Sequence, residues 1–386
     1  MLKSGTKKSQ ASQQQAENAS ATKKTIWKTT AKNSDESKCL KRPRLGADGL
    51  PEAAVSYMDH APVHPVYIHA DGLFRPVAHG QENDCGIVSK IYSVGSVKIL
   101  CEWHSKQALN IVDQSVLFFI CQLAAQPARR FGLIPAAPYA ETSAMATAVT
   151  MTKSLNAVGL SSSVAHRGIS TTLPEIARGI GLTPTGTNSH AMLESLNRLA
   201  ATRMTRTVLD CNGNPTEKSG QSNVIGLLCD DESHYILLNF ELTMASKALG
   251  TVSWINMREH RSIKSKPAKR LHAWLSNWAS TRETRVVNLH LLPKHIWGHG
   301  SCTASAAKSR AHTLRASIQE IARLPGWICF VDADKKRLMV RKPIFAGTKA
   351  VIAATLTAPA ATTSTIAERK TSKSLKPSTG VALQTV

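Results

Sequence analysis

The 386-residue chain is short of acidic and aromatic residues. Asp and Glu number 26 against 48 Lys and Arg, and Phe, Trp and Tyr together make up 5% of positions. The formal charge is therefore +22. That excludes the mixed, near-neutral surface of an ordinary cytosolic enzyme and puts nucleic acid first among partners, with an anionic membrane surface second. Long apolar runs are also missing. No stretch approaches the roughly eighteen consecutive apolar residues of a spanning helix. The N-terminus, MLKSGTKKSQASQQQ, is polar where a secretory signal has its apolar centre. The expectation is a soluble, cytoplasmic protein that makes no use of a membrane.

The eight cysteines, at 39, 85, 101, 121, 211, 229, 302 and 329, form no CxxC pair and no close cluster. This argues against a zinc ribbon and a disulfide scaffold, and leaves Cys101, Cys121, Cys229 and Cys329 as small buried side chains. Catalytic signatures are equally scarce. There is no GxxxxGK[ST] loop, no HExxH, and no His-x-His of the kind a metal-dependent nicking enzyme needs. His290, His295, His299 and His312 lie near one another in sequence but lack a Cys or carboxylate at ligand spacing. The expectation is no catalytic residue, no metal and no cofactor.

What is present is a bounded middle between two polar ends. Residues 1–61 hold 11 Lys and Arg against 6 Asp and Glu, without periodicity, and read as a disordered basic arm. Residues 346–386 read as a disordered tail rich in Ala, Ser and Thr, with five basic residues and one acid. The arm carries +5 and the tail +4, so +13 belongs to the part that folds.

That middle shows one supersecondary order twice. In the first half, 115–126 reads as a buried helix, 172–182 as a short helix, and 189–201 as a helix with Met192, Leu196 and Leu199 inward. Strands follow at 203–210, 224–230 and 234–242, with a polar loop, NGNPTEKSGQSN, between the first two. In the second half, 268–279 is an amphipathic helix, 286–298 a strand and a helical turn, and a long helix runs from about 302–305 to Leu324. Pro325 and Gly326 end it, and WICFVD and RLMVRKP form a hairpin turning at Asp332 to Lys336. Helix, turn, helix, hairpin is the winged helix-turn-helix order. The fold class read from the sequence is α+β, with two tandem winged helix-turn-helix domains over 62–240 and 241–345.

The long helix of the second half has one apolar stripe, Ala307, Ala311, Leu314, Ile318, Ile321 and Leu324. Lys308, His312, Arg315 and Gln319 lie opposite, and Arg310 adds a further charge. Arginine can read guanine edges and either cation can neutralise phosphate, so Lys308, Arg310, His312 and Arg315 are the first DNA-binding candidates. Thr303 and Ser305 at the helix start are candidates both as N-caps and as DNA contacts. The hairpin adds Lys335, Lys336, Arg337 and Arg341. In the first half, Thr187, Asn188 and His190 stand at the start of a helix as base or phosphate contacts or as caps, and Arg198, Arg203 and Arg206 are candidates on the same face.

Several segments taken together are similar to replication protein C of IncQ-type plasmids. They are HADGLFRPVAHG (69–80), YILLNFEL (235–242), WINMREH (254–260), RLHAWLSNW (270–278) and the block from His295 through RLMVRKP. They occur in the family's order and span roughly 65–345. The resemblance implies a bacterial, cytoplasmic initiator that binds repeated double-stranded DNA sequences (iterons) at a plasmid origin and opens it. It further implies separate helicase and primase partners, and a dimer or multimer on the tandem repeats. Matching the family's basic helix supports Lys308, Arg310 and Arg315. The chain departs from it at Ser309, Ala311 and Thr313, and carries an extra residue at Pro325-Gly326 and an atypical insertion near 129–163. A tandem winged-helix transcriptional regulator is the alternative. A nicking enzyme drawing on Tyr57, Tyr67, Tyr92, Tyr139 or Tyr235, and an RNA-binding protein, come behind it.

Overall fold

The computed structural model describes residues 59–77, 86–126, 130–134, 153–159, 166–230, 233–247, 251–299, 302–332 and 334–343, with 130–134 as backbone. Nearly all of the basic arm, the tail and most of the 129–163 insertion lie outside them. The described residues belong to one unit, 45–386.

Local chemistry sets the elements of the first half. Strand β1 (His60–Val63) leads into α1 (Pro65–His69), where His64 caps and Pro65 takes the first turn. β2 (Ile87–Val94) and β3 (Val97–His104) form a hairpin that turns at Gly95, φ +60°. Helix α2 (Ile111–Ala125) opens on a capping box in which Asn110 Oδ1 accepts from the Asp113 amide and Asp113 accepts from the Asn110 amide. After β4 (Arg130–Ile134), β5 (Val158–Gly159) and β6 (His166–Thr171) come α3 (Leu173–Gly179) and α4 (Gly186–Ala201), capped by Thr172 and Thr185. Strands β7 (Arg203–Leu209), β8 (Pro215–Asn223), β9 (Ile225–Cys229) and β10 (His234–Leu238) then precede α5 (Phe240–Ser246).

The second half starts from β11 (Ser253–Asn256) and α6 (Met257–Ser262). α7 (Lys266–Trp278), β12 (Arg285–Asn288), α8 (Leu292–Trp297) and α9 (Ala304–Ala322) follow, then β13 (Ile328–Asp332) and β14 (Arg337–Arg341).

The strand orders reveal a repeat. One sheet runs β4-β6-β10-β9 and another β12-β14-β13. In each, a strand that follows the first helix (β6, β12) pairs with the last strand of a hairpin (β10, β14), whose other strand (β9, β13) forms the edge. All these pairings are antiparallel. The shared order is helix, strand, helix, helix, hairpin: α2, β6, α3, α4, β9–β10 and α7, β12, α8, α9, β13–β14. The first copy carries an inserted hairpin, β7–β8, between its last helix and β9, and this joins a separate five-stranded sheet ordered β2-β3-β7-β8-β5.

Two principal cores correspond to the two copies. The first gathers Phe118 and Ile120 of α2, Met192 and Leu196 of α4, and extends to Leu242, Ile255 and Met257. Here α3 packs so tightly on α2 that a Cβ at Gly179 would lie 2.2 Å from the Phe119 ring, so only glycine fits. The second collects Leu271, Leu275, Leu314, Ile318, Ile321, Trp327 and Leu338. Strand β1 pairs with β11, and the buried Arg270 of α7 donates to the carbonyl oxygens of His295 (2.9 Å) and Ala70 (3.2 Å), residues that lie on either side of the join. Gly72 and Gly298 meet there backbone to backbone: a Cβ at Gly298, φ +81°, would lie 3.0 Å from the Gly72 Cα.

Several elements differ from the sequence reading, and of the cysteines expected to be buried, Cys229, at the end of edge strand β9, is exposed and Cys329 only half-buried. The polar loop after β7 is mostly strand β8, because Asn212-Gly213 makes a hairpin turn in which Asp210 Oδ1 accepts from the Asn214 amide at 2.8 Å and Gly213 takes φ +86°. The strand read over 234–242 stops at Leu238, where Asn239 Oδ1 accepts from the Leu242 amide and starts α5 instead. The β2–β3 hairpin was not anticipated.

Candidate nucleic-acid interface

Helix α9 owes its position to its buried stripe. Leu314, Ser317, Ile318 and Ile321 are buried, which leaves Lys308, His312, Arg315 and Gln319 exposed on the other face. Thr303 Oγ1 caps the helix by accepting from the Ala306 amide at 3.2 Å, and Ser305 is exposed within the first turn. The helix carries a single carboxylate, Glu320, and it faces away from that surface. It accepts from Ser265 Oγ at 2.7 Å and from the Lys264 and Ser265 amides, tying α9 to the start of α7. The exposed face of α9 is therefore cationic without internal neutralisation.

Arg310 is placed differently from its neighbours. It is half-buried, with its guanidinium carbon 5.6 Å from the centre of the Trp297 ring on α8. That contact restrains the planar fork without consuming its hydrogen-bond donors.

The adjoining hairpin presents Lys335, Lys336, Arg337 and Arg341, all exposed. Lys335 stands 4.0 Å from Asp332, a loose surface pair worth little. Lys336 takes φ +50° at the turn. Trp327 anchors the hairpin's base: its indole donates to Glu259 at 2.9 Å, and His272 contacts the same carboxylate at 3.0 Å. Burial alone would raise the Glu259 pKa, but the hydrogen bond from His272 and that residue's charge, with Trp327, bring it below the usual carboxylate value.

The first copy has the same elements and a different surface. Thr187 and His190 are exposed at the start of α4 and Asn188 is half-buried beside them, so the structure brings these three together. Asn188 Nδ2 donates to the Thr183 carbonyl at 2.8 Å, and His190 lies 3.5 Å from Glu194. Arg198 and Arg206 face inward. Arg198 grips the fully buried Asp113 through Nε and Nη2 at 2.9–3.2 Å, and Arg206 meets the buried Glu241 at 3.0 Å while stacking over Phe240 at 4.4 Å. Burial pushes the Glu241 carboxyl up and Arg206 opposes that shift. Arg203 alone of these three arginines is exposed.

The sequence reading missed the inward role of Arg198 and Arg206, and it missed Trp297. The spacing of Trp297 to Arg310 crosses a loop, so no helical periodicity could have linked them. Asp71 is another residue brought in from far along the chain, 2.6 Å from His295 and 3.6 Å from His299. Among the described residues no group of three or more His, Cys, Asp or Glu is arranged to hold a metal. No described helix is long and apolar enough to cross a membrane.

Fold and surface together define a mixed α+β protein with a repeated helix–hairpin unit, one copy of which turns a cationic helix and a cationic hairpin to solvent. The chain belongs to the replication protein C (RepC) family, whose model matches residues 55–343. It is thus a replication protein. Similar solved structures include two crystal structures of domains 2 and 3 of RctB. One, of selenomethionine derivatives, has 10% identity and a TM-score of 0.41, covering 72% of this chain and 98% of that one. The other has 12% identity and a TM-score of 0.40, covering 74% and 99%. No curated protein matches the chain.

Proposed function

We propose that this protein is a plasmid replication initiator that binds tandem duplex repeats, or iterons, at its origin and promotes their opening. The observation that carries the reading is the pairing of α9, with Lys308, His312 and Arg315 exposed and Glu320 turned inward, with a hairpin carrying four exposed cations. In this reading the second copy is a winged helix. α9 enters the major groove, where Arg310 and Arg315 reach guanine edges, and the hairpin is the wing, with Lys335, Lys336, Arg337 and Arg341 on phosphates. Thr303 and Ser305 at the helix start meet the backbone.

The first copy is a second winged helix with a weaker hold. Thr187, Asn188 and His190 at the start of α4 remain available to duplex DNA there, whereas Arg198 and Arg206 serve the core and Arg203 stands beyond the opposite end of the helix. Several copies of the protein on tandem repeats would bend the duplex, and the added contacts would offset the cost of deforming and melting an adjacent AT-rich segment. The chain itself performs no covalent chemistry in this scheme. Plasmid-encoded helicase and primase act on the opened origin in the bacterial cytoplasm.

Nuclease footprinting of the full-length protein on its plasmid origin tests the reading. Protection of regularly spaced repeats, lost in Arg315→Glu, is the expected result. Uniform protection of origin and flanking DNA contradicts it.

A further inference from the structure

A second basic surface lies on the first half of the chain, built from none of the elements of the second copy. The ends of β3, β7 and β8, the last turn of α4 and residues 153–158 enclose an open groove of about 1090 Å3. That is at the upper end of the roughly 300–1,000 Å3 range of ligand sites, large enough to take a short stretch of a polymer. Lys106, Lys153 and Arg203 line it with His104, and no carboxylate is among the described lining residues.

Two inward-facing arginines of this half are paired, Arg198 with Asp113 and Arg206 with Glu241. The three groove cations are exposed, and none has an ion-pair partner among the described residues. Three cations without a carboxylate partner thus share one concave surface, which focuses their field on an anion.

The remaining lining indicates which polyanion. Asn156 and Gln221 supply amides that can both donate and accept, Asn223 is held by its own donation to the Ser154 carbonyl at 3.2 Å, and Ala157, Ala200 and Ala201 supply small apolar surface. A duplex keeps its base edges inside its own grooves and offers a concave site little besides phosphate. An unpaired strand presents phosphates, polar base edges and apolar base faces together. We infer that this groove binds single-stranded nucleic acid, at a site separate from α9 and its hairpin. No Phe, Tyr or Trp is among the described lining residues, so phosphate and amide contacts dominate over stacking there, which makes binding tolerant of sequence and steeply dependent on salt. The inference stands apart from the initiator reading. If both hold, the groove is suited to a strand released at an opened origin.

The test uses the full chain, an oligothymidylate of about 16 nucleotides, within the span that single-strand sites occupy, and an origin-repeat duplex. Lys106→Ala/Lys153→Ala is compared with Arg315→Ala, with thermal melting as the folding control. The groove variant should lose about tenfold in oligothymidylate affinity and lower the log–log salt slope by about 1.4, from about 0.7 per cation, with repeat-duplex binding unchanged. Arg315→Ala should do the converse. Unchanged oligothymidylate binding in the groove variant overturns the inference, as does an equal loss toward duplex. Displacement of the oligonucleotide by polyglutamate at equal charge assigns the groove to acidic protein and also overturns it. Arg203→Gln, which keeps the strand's hydrogen bonding, serves as a second variant and should show the same selective loss of single-strand binding.

Discussion

Arg198 of α4 closes on Asp113 of α2 with contacts of 2.9–3.2 Å, and Asp113 also accepts from Ser195 at 2.6 Å. The carboxylate has no exposure and the arginine 19%. The corresponding last helix of the second copy, α9, leaves Lys308 and Arg315 in solvent. The last helix thus uses its arginine for cohesion in one copy and presents its cations outward in the other.

The first prediction follows from that pair. Arg198→Ala strands a buried carboxylate and should cost about 3 kcal/mol, as for broken buried ion pairs. A urea titration measures it. Repeat-duplex affinity of the folded fraction should stay within twofold, and a variant of normal stability that loses affinity instead would return Arg198 to the DNA surface.

Arg315→Ala should do the opposite. An exposed side chain away from packing changes stability by about 0.5 kcal/mol or less. Each phosphate contact removed should lower the log–log salt slope of duplex binding by about 0.9. Lys308→Ala and Lys335→Ala, each removing a phosphate contact, should show that fall, whereas Arg315→Ala, removing a contact to a guanine edge, should cost about 1–3 kcal/mol of repeat affinity; fluorescence anisotropy over a salt series measures both.

These contrasts show what the sequence could reveal. The inward stripe of α9 is local, so Leu314, Ile318 and Ile321 could be assigned from spacing alone, and the turn before β14 followed from its charged tip. Arg198 and Arg206 could not be assigned the same way. Their partners Asp113 and Glu241 come from other elements, and a charge pattern on one helix does not show which side chains meet a buried acid elsewhere. β8 was masked by its polarity: Thr216, Glu217 and Lys218 resemble a loop, yet backbone pairing with β7 makes them a strand. The Asn212-Gly213 turn was the available signal for that hairpin. The repeat itself was visible as an order of elements, but its true hairpin, β9–β10, was obscured by the inserted β7–β8.

Arg310 and Trp297 provide a prediction on specificity. Arg310→Lys keeps the charge and loses the planar fork, so affinity for the repeat should fall by about 1–3 kcal/mol while binding to shuffled duplex holds. Trp297→Ala should weaken the repeat by a smaller amount, about 0.5–1 kcal/mol. Equal losses on repeat and shuffled duplex in Arg310→Lys would assign Arg310 to phosphate alone.

Buried histidines set a pH dependence. Burial, with the Arg206 charge, lowers His64 to about 4. Burial together with Lys90, Arg270 and His295 brings His69 to about 4, and burial with its cationic neighbours puts His260 well below 6.5. Each binds a proton more readily when the chain is unfolded. Between about pH 6.5 and 4 the unfolded state therefore holds more protons, and stability should fall with pH by about 1.4 kcal/mol per unit for each such histidine. Above pH 7 this contribution should be flat. Urea midpoints from pH 4 to 8 check it, and a midpoint constant across that range would show these histidines protonated in the folded protein.

The measurement closest to the central claim is equilibrium binding of the full-length protein to a duplex of its origin repeats and to a shuffled duplex of equal length, at physiological salt. A preference of at least about a hundredfold for the repeats, below the full span of specific-to-nonspecific ratios yet well above unity, with stepwise occupancy and a preference that Arg310→Lys reduces, is the predicted result. Equal affinity for the two duplexes contradicts origin recognition.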